Sequence, residues 1–263
     1  MKPPKQQLVY GRHPVLDALD AGTQFDKILV QQGTKGDFEK QIRGKARAAG
    51  VPVQYVPRQK LDFLTKRQNH QGVLGYVALL TYYHLADVLP GIYERGEIPL
   101  VVLLDGVTDT RNFGAIARSA EICGVHALVT PLKGGALITP DAVKTSAGAL
   151  LKLNVCRERT LGGAVELLQN SGIRVHAAVL DERSVELPRL NLHEPTAIVL
   201  GAEGKGVNRE LASACDGTFR IPQVGETDSF NVSVAAGISL YEAVRQRQDT
   251  DPDLGDGSGN ISS

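Results

Sequence analysis

Tryptophan is missing from this 263-residue chain, methionine occurs once and cysteine three times. Cys123, Cys156 and Cys215 are odd in number and far apart, without a CxxC pair. That pattern argues against a disulfide framework or a metal centre and for reduced, mostly buried thiols in a cytoplasmic protein. No run of about 18 apolar residues occurs, so no membrane span is expected. The opening Met1-Lys2-Pro3-Pro4-Lys5 lacks the apolar core of a signal peptide. The apolar run at residues 100–104 leads into Asp105-Gly106-Val107-Thr108-Asp109-Thr110-Arg111-Asn112, not into the GxGxxG turn of a dinucleotide or ordinary Rossmann site. A Walker loop, a GxSxG elbow and a His/Cys cluster are absent as well, so no metal is expected. Gly201-Ala202-Glu203-Gly204-Lys205-Gly206 has the glycines of a phosphate loop, but Glu203 would repel an incoming phosphate.

Net charge of one sign is also lacking, with 29 Lys and Arg against 29 Asp and Glu. The average conceals an asymmetry. Residues 1–83 hold thirteen Lys and Arg but six Asp and Glu, whereas Asp249, Asp251, Asp253 and Asp256 crowd the tail. A basic amino-terminal part suits contact with a polyanion, because phosphate neutralisation drives non-specific affinity. A merely solvated basic face would carry the same pattern.

The order of elements reads as α/β. Helices are expected near residues 15–19, with Pro14 at the first helical position, at 38–49 and at 59–66. Strands are expected at 27–31, 53–56 and 73–80. Short strands and helices at this spacing predict a small α/β/α sandwich over residues 8–80, after a flexible start at 1–7. Residues 81–98, with Pro90-Gly91 inside, read as a linker with a short helix at 85–94. The periodicity then changes. Apolar strands are expected at 100–104, 127–130, 153–156, 175–180, 197–200 and 218–221. The helices among them start at Asn112 as N-cap, at Thr139-Pro140, at 161–169 and at 232–247. That alternation predicts a parallel sheet with helices on both sides over residues 99–248. Residues 249–263 read as a disordered acidic tail.

Chemistry concentrates in three stretches where a strand gives way to a loop or helix, the place where α/β proteins put their ligands. They are Asn112-Phe113-Gly114-Ala115-Ile116-Ala117-Arg118, the glycine-rich stretch at 201–206, and Ile221-Pro222 running into Ser229-Phe230-Asn231-Val232-Ser233. Gly201 and Gly204 let the backbone approach a ligand without Cβ obstruction, just after Leu200. Ile221 and Phe230 offer apolar walls, and Asn231 can cap the last helix or orient a substrate. Such loops form a pocket for a flat heteroaromatic ring held by main-chain hydrogen bonds. Taken singly, each residue has a plain structural use: the glycines as turns, Asn231 as a cap, Arg118 as the partner of Glu121.

In order and spacing the three stretches resemble the motifs of the SpoU (TrmH-type) RNA 2′-O-methyltransferases of the SPOUT superfamily. The resemblance covers about residues 8–248. It places Asn112 and Arg118 at the Asn and Arg of the first motif, Glu203 at the acidic position of the second, and Ser229 and Asn231 at the Ser and Asn of the third. It implies S-adenosylmethionine contacts near Leu200, Gly201, Gly204, Ile221, Phe230 and Asn231. Thr110 and Phe230 stand where the family often has Pro and Leu. The amino-terminal unit resembles the L30e-like substrate-binding domain, and Asn69-His70-Gln71-Gly72 resembles a stretch of the ribosomal-RNA branch. The resemblance further implies a carboxy-terminal trefoil knot and a homodimer, with Arg118 reaching the partner's cofactor.

The implied activity is in-line methyl transfer to a guanosine ribose 2′-oxygen of large-subunit (23S) ribosomal RNA. A transfer-RNA 2′-O-methyltransferase, an antibiotic-resistance methylase and a non-catalytic ribosome-assembly factor are the alternatives. An always-protonated guanidinium is a poor base, so Arg118 is expected to act as a fixed cation beside the developing alkoxide, with Asn112, Glu203 and Asn231 positioning it and the ribose.

Overall fold

The computed structural model describes residues 6–225 and 227–248. The flexible start expected at 1–7 lies outside them up to residue 5, and the acidic tail at 249–263 lies outside them altogether.

The amino-terminal unit contains β1 (Leu8–Tyr10), α1 (Arg12–Asp20), β2 (Phe25–Gln31), α2 (Asp37–Ala48), β3 (Val53–Val56), α3 (Arg58–Leu64) and β4 (Val73–Val77). Its sheet has the order β1-β4-β2-β3, with β4 antiparallel to β1 and β2, and β3 parallel to β2. Alternate residues of β2 serve opposite faces. Ile28 and Val30 pack with Val15, Ile42 and Ala46 beneath α1 and α2, while Leu29 packs with Leu61 beneath α3. Pro14 is the third residue of α1 rather than the first, which the helix tolerates because its opening amides have no intrahelical partner.

Within residues 81–98, read above as a linker, α4 (Leu85–Glu94) is the short helix expected there, and β5 (Tyr82–Tyr83) before it pairs with the sheet of the second unit. There follow β6 (Leu100–Asp105), α5 (Thr110–Ile122), β7 (Ala127–Pro131), α6 (Pro140–Thr145), β8 (Asn154–Glu158), α7 (Leu161–Asn170), β9 (Arg174–Ala178), β10 (Val185–Glu186), β11 (Thr196–Gly201), α8 (Arg209–Ala214), β12 (Gly217–Arg220) and α9 (Val232–Gln248). The eight strands form one sheet in the order β10-β12-β9-β11-β6-β7-β8-β5, and every pairing is parallel. Leu100, Val102 and Leu104 of β6 face Phe113 and Ile116 of α5 and Leu240 of α9. Val101 and Leu103 face Leu89 of α4 and Leu168 of α7. A sheet buried on both faces explains the continuous apolar runs.

Two local details position the site. The N-cap of α5 is Asp109, not Asn112: its side chain accepts from Arg111 N at 2.8 Å and Asn112 N at 2.9 Å. The Asn112 side chain is thereby released for other contacts. Gly114 lies so close to α6 that a Cβ there would come within 2.6 Å of the Ala142 carbonyl oxygen. All three cysteines are free, and burial pushes the Cys156 thiol up to about 12 and the Cys215 thiol to about 11, which leaves both inert.

The units meet through a buried polar knot of side chains. Arg157 of β8 donates from Nη1 to the Phe25 carbonyl at 3.1 Å and brings Nη2 to 3.4 Å from Asp26 Oδ1. Its guanidinium lies 3.4 Å from the Tyr82 ring centroid, and the Tyr82 hydroxyl donates to Asp26 Oδ1 at 2.6 Å. Burial raises the Asp26 carboxyl above its ordinary range, and the Tyr82 hydroxyl and Arg157 offset part of that rise. Arg157→Ala is expected to cost about 3–5 kcal/mol in urea unfolding near neutral pH, because it strands a buried carboxylate. Without the guanidinium the folded-state carboxyl sits still further above its ordinary 3.8. Folded Asp26 then holds a proton that the unfolded chain releases, so the variant loses stability as pH rises through the carboxylate range. Equal losses at about pH 4 and pH 7 would show that Asp26 is not the coupled group.

Candidate active site

Parallel pairing of β6 with β11 sets Asp105 opposite Gly201, so the loops after both strands leave the sheet side by side. Asp105 Oδ2 accepts the Asn208 amide at 2.7 Å and ties the far end of the glycine-rich loop to β6. Within that loop Gly206 N donates to Ala202 O at 2.8 Å, and Gly204 and Gly206 have φ of 75° and 64°. Glycine suits those left-handed positions. Gly201 is required for another reason: a Cβ on it would fall 2.0 Å from the Gly206 carbonyl carbon.

Helix α9 packs on α5 and brings its first turn over the same edge. Asn231 caps it, with Oδ1 accepting from Ser233 N at 2.9 Å and from Ser233 Oγ at 2.6 Å. The Asn231 Nδ2 donates to Asn112 Oδ1 at 3.2 Å and also to Glu203 Oε1. The same Glu203 oxygen accepts from Asn112 Nδ2 at 3.1 Å. One residue from each stretch therefore closes a three-membered ring of side chains. A carboxylate that only accepts orients two amides here: Asn231 spends both N–H groups and both lone pairs within the ring and the cap, while Asn112 keeps one N–H and one lone pair that a substrate can use.

Beside the ring, a cleft of about 510 Å³ opens at the carboxyl ends of β9, β11 and β12. Leu200, Gly201, Glu203, Gly204, Ile221, Ser229 and Phe230 all line it, whereas Asn112 and Asn231 do not. Ser229 makes no hydrogen bond among the described residues. Arg118 lies elsewhere: it is exposed on α5, roughly 9 Å along the axis from Asn112. Glu121, its expected partner, instead takes Lys152 Nζ at 2.8 Å, and Arg118 has no ion pair among the described residues.

Sequence reasoning missed Arg220. It lines the cleft, donates from Nη2 to Glu186 at 3.2 Å, and keeps a buried Nε without a partner among the described residues. A cation directly before Ile221-Pro222, at a strand end, was the available signal. Among the described residues no group of three or more His, Cys, Asp or Glu is placed to hold a metal ion, and no helix is long and apolar enough to cross a membrane.

Known proteins share this architecture. The family described as SpoU rRNA Methylase matches residues 99–241, and that described as RNA 2′-O ribose methyltransferase substrate binding matches residues 8–83. The chain belongs to the SpoU rRNA methylase family. It is 33% identical to a putative TrmH family tRNA/rRNA methyltransferase of Bacillus subtilis, over 91% of this chain and 95% of that protein. It is 36% identical to an uncharacterized tRNA/rRNA methyltransferase of Synechocystis over 91% of its own length, but spans only 62% of that longer relative. Among solved structures, the SpoU methyltransferase AviRb of Streptomyces viridochromogenes, crystallised with S-adenosylmethionine, superposes with a TM-score of 0.58 at 25% identity, covering 93% of this chain and 92% of that one. An RNA methyltransferase of the SpoU/TrmH type is thus the enzyme class.

The tight approach at Gly201 generates a prediction. Gly201→Ala forces residues 206–207 away and detaches Glu203 from both asparagines. Hydrogen exchange across residues 202–208 and at the Asn231 cap is expected to speed up at least tenfold, with a stability loss of about 1–3 kcal/mol. Unchanged exchange in this loop would refute the coupling.

Proposed function

We propose that this chain transfers a methyl group from S-adenosylmethionine to the ribose 2′-hydroxyl of a guanosine in large-subunit (23S) ribosomal RNA. The observation that carries this reading is the Asn112–Glu203–Asn231 ring standing beside the cleft at the strand ends. The cleft suits the donor. Ile221, Leu200 and a partly exposed Phe230 offer apolar surface to a flat ring, and the unpaired Arg220 Nε is a donor for a carboxylate. Bound there, S-adenosylmethionine supplies an already activated methyl group on a sulfonium. Leu200, Gly201, Gly204, Ile221 and Phe230 would hold it in the cleft together with Ser229, and Asn231 would position that wall through Glu203. Orientation of the pair is the main task left to the protein.

The 2′-hydroxyl is weakly acidic and needs help in losing its proton. Arg118 serves as a cation that steadies the developing alkoxide and grips the adjoining phosphate, which or a water then takes the proton. Since Arg118 is remote from its own cleft, we place it in the cleft of a second copy. Exposed apolar side chains support a homodimer through this face: Ile122 on α5 is 70% exposed, and Val234 and Tyr241 on α9 are 47% and 66% exposed. The trefoil knot belongs to the same proposal. The course of the chain supports it: after β11 it pairs β12 on the far side of β9 and returns to lay α9 on α5. Residues 8–80 act as the RNA-binding module, and three unpaired cysteines fit a cytoplasmic setting.

Ribose-methylation mapping of total RNA from a deletion strain and its parent is expected to show one guanosine mark lost from the large-subunit RNA. A mark lost from transfer RNA instead would redirect the substrate, and no lost mark would overturn the reading. A shared site makes a second prediction. Arg118→Ala and Asn231→Ala are each expected to lower activity at least a hundredfold. Refolded together they should recover about a quarter of wild-type activity, because each mixed dimer retains one intact site. No recovery would place both residues in the same subunit's site.

A further inference from the structure

We propose that a polar cleft at the outer end of the amino-terminal domain receives an unpaired RNA nucleotide, at a distance from the ribose to be methylated. This rests on the reading above that RNA is the substrate. The cleft has a volume of about 660 Å³, within the range of small-ligand sites, and is lined by Arg12, Arg58, Arg67, Asn69, His70 and Gln71 among others. Each of those six except His70 is exposed. None of the apolar side chains of the domain core enters it.

The wall is held in a costly backbone conformation. Among the described residues four that are not glycine have positive φ, and three of them belong to this one turn: Lys66 at 53°, Arg67 at 62° and Gln71 at 49°. A left-handed Lys, Arg or Gln costs roughly 1–2 kcal/mol, and such strain gathers where a binding surface must be pre-shaped. The turn is fixed from below by buried His70. Its Nδ1 accepts from the Gly72 amide at 3.0 Å, so Nε2 carries the proton and faces Asp62 Oδ1 at 3.0 Å. From α1, Arg12 Nε donates to the Gln71 carbonyl at 3.3 Å, and the Arg12 guanidinium lies 4.7 Å above the Phe38 ring.

Charge and hydrogen-bonding capacity then specify the guest. Three arginines line the cleft against a single carboxylate, Asp62, which Arg58 approaches at 3.8 Å; Arg67 has no ion pair among the described residues. That surplus suits phosphate. The amides of Asn69 and Gln71 offer donors and acceptors for a base edge, which only an unpaired base exposes fully. A duplex keeps its bases paired and stacked and offers no splayed base to a cavity of this size.

Location separates this contact from the chemistry. Gln31, in the cleft wall, ends β2, whereas Asp26 near its start touches Arg157 of the catalytic unit. Strand geometry puts the cleft about 17–20 Å from that junction. A nucleotide held there selects RNA by a feature remote from the modified ribose.

The test measures fluorescence anisotropy with a labelled single-stranded RNA of about twelve nucleotides and mixed sequence, and with a duplex of the same length. Arg67→Asn removes charge but tolerates the left-handed backbone, and is combined with Arg12→Gln. Arg47→Gln, exposed on α2 outside the cleft, removes the same kind of charge as a control. The double variant is expected to weaken single-strand binding about tenfold and duplex binding less than twofold, with Arg47→Gln below twofold on both. In methylation assays it should raise KM for RNA and leave kcat unchanged. Arg12→Gln alone carries the comparison if the double variant melts early. An equal loss with Arg47→Gln, or an equal loss on duplex, overturns the proposal. Calorimetry with S-adenosylmethionine separates the two readings: a wild-type protein that fails to bind it defeats the methyltransferase reading, while the single-strand preference judges the cleft.

Discussion

The register between β6 and β11 is the constraint on which the candidate site depends. Because Gly201 stands opposite Asp105 in a parallel pair, two loops nearly a hundred residues apart begin at the same level of the sheet. The carboxylate of Glu203 then bridges what the sheet has aligned, and Asn231 closes the arrangement when α9 settles against α5. A slip of one residue in that register would turn alternate side chains to the wrong face and dissolve the burial of Leu100, Val102 and Leu104 as well. Core and site are therefore specified together.

Much of this was legible in residue order. Apolar runs and glycine-rich strand ends were enough to anticipate a parallel sheet whose loops share a pocket. Other features escaped for physical reasons. Asp109 and Asn112 are both good caps, and only the bound geometry shows that Asp109 takes the amides and leaves Asn112 free. Strand β5 has two residues, too few for any periodic signal, so its segment read as a linker. The closeness of Gly114 to Ala142 is a property of the packed pair of helices α5 and α6, and no local pattern encodes it.

The junction between the units shows the same dependence on tertiary context. Asp26, Tyr82 and Arg157 come from three separate elements, and none belongs to a motif. Together they bury an ion pair with an aromatic lid between the two units.

The large sheet ends on both sides in strands of two residues, β10 and β5. Exposed edges of parallel sheets invite pairing with a neighbouring polypeptide, and brevity is one way to deny such a template. Here β5 is further shielded by the Gln24 side chain, which accepts the Tyr82 amide at 2.7 Å and donates to its carbonyl at 3.1 Å. The amino-terminal unit thereby occupies the Tyr82 backbone groups that a strand from another chain would need.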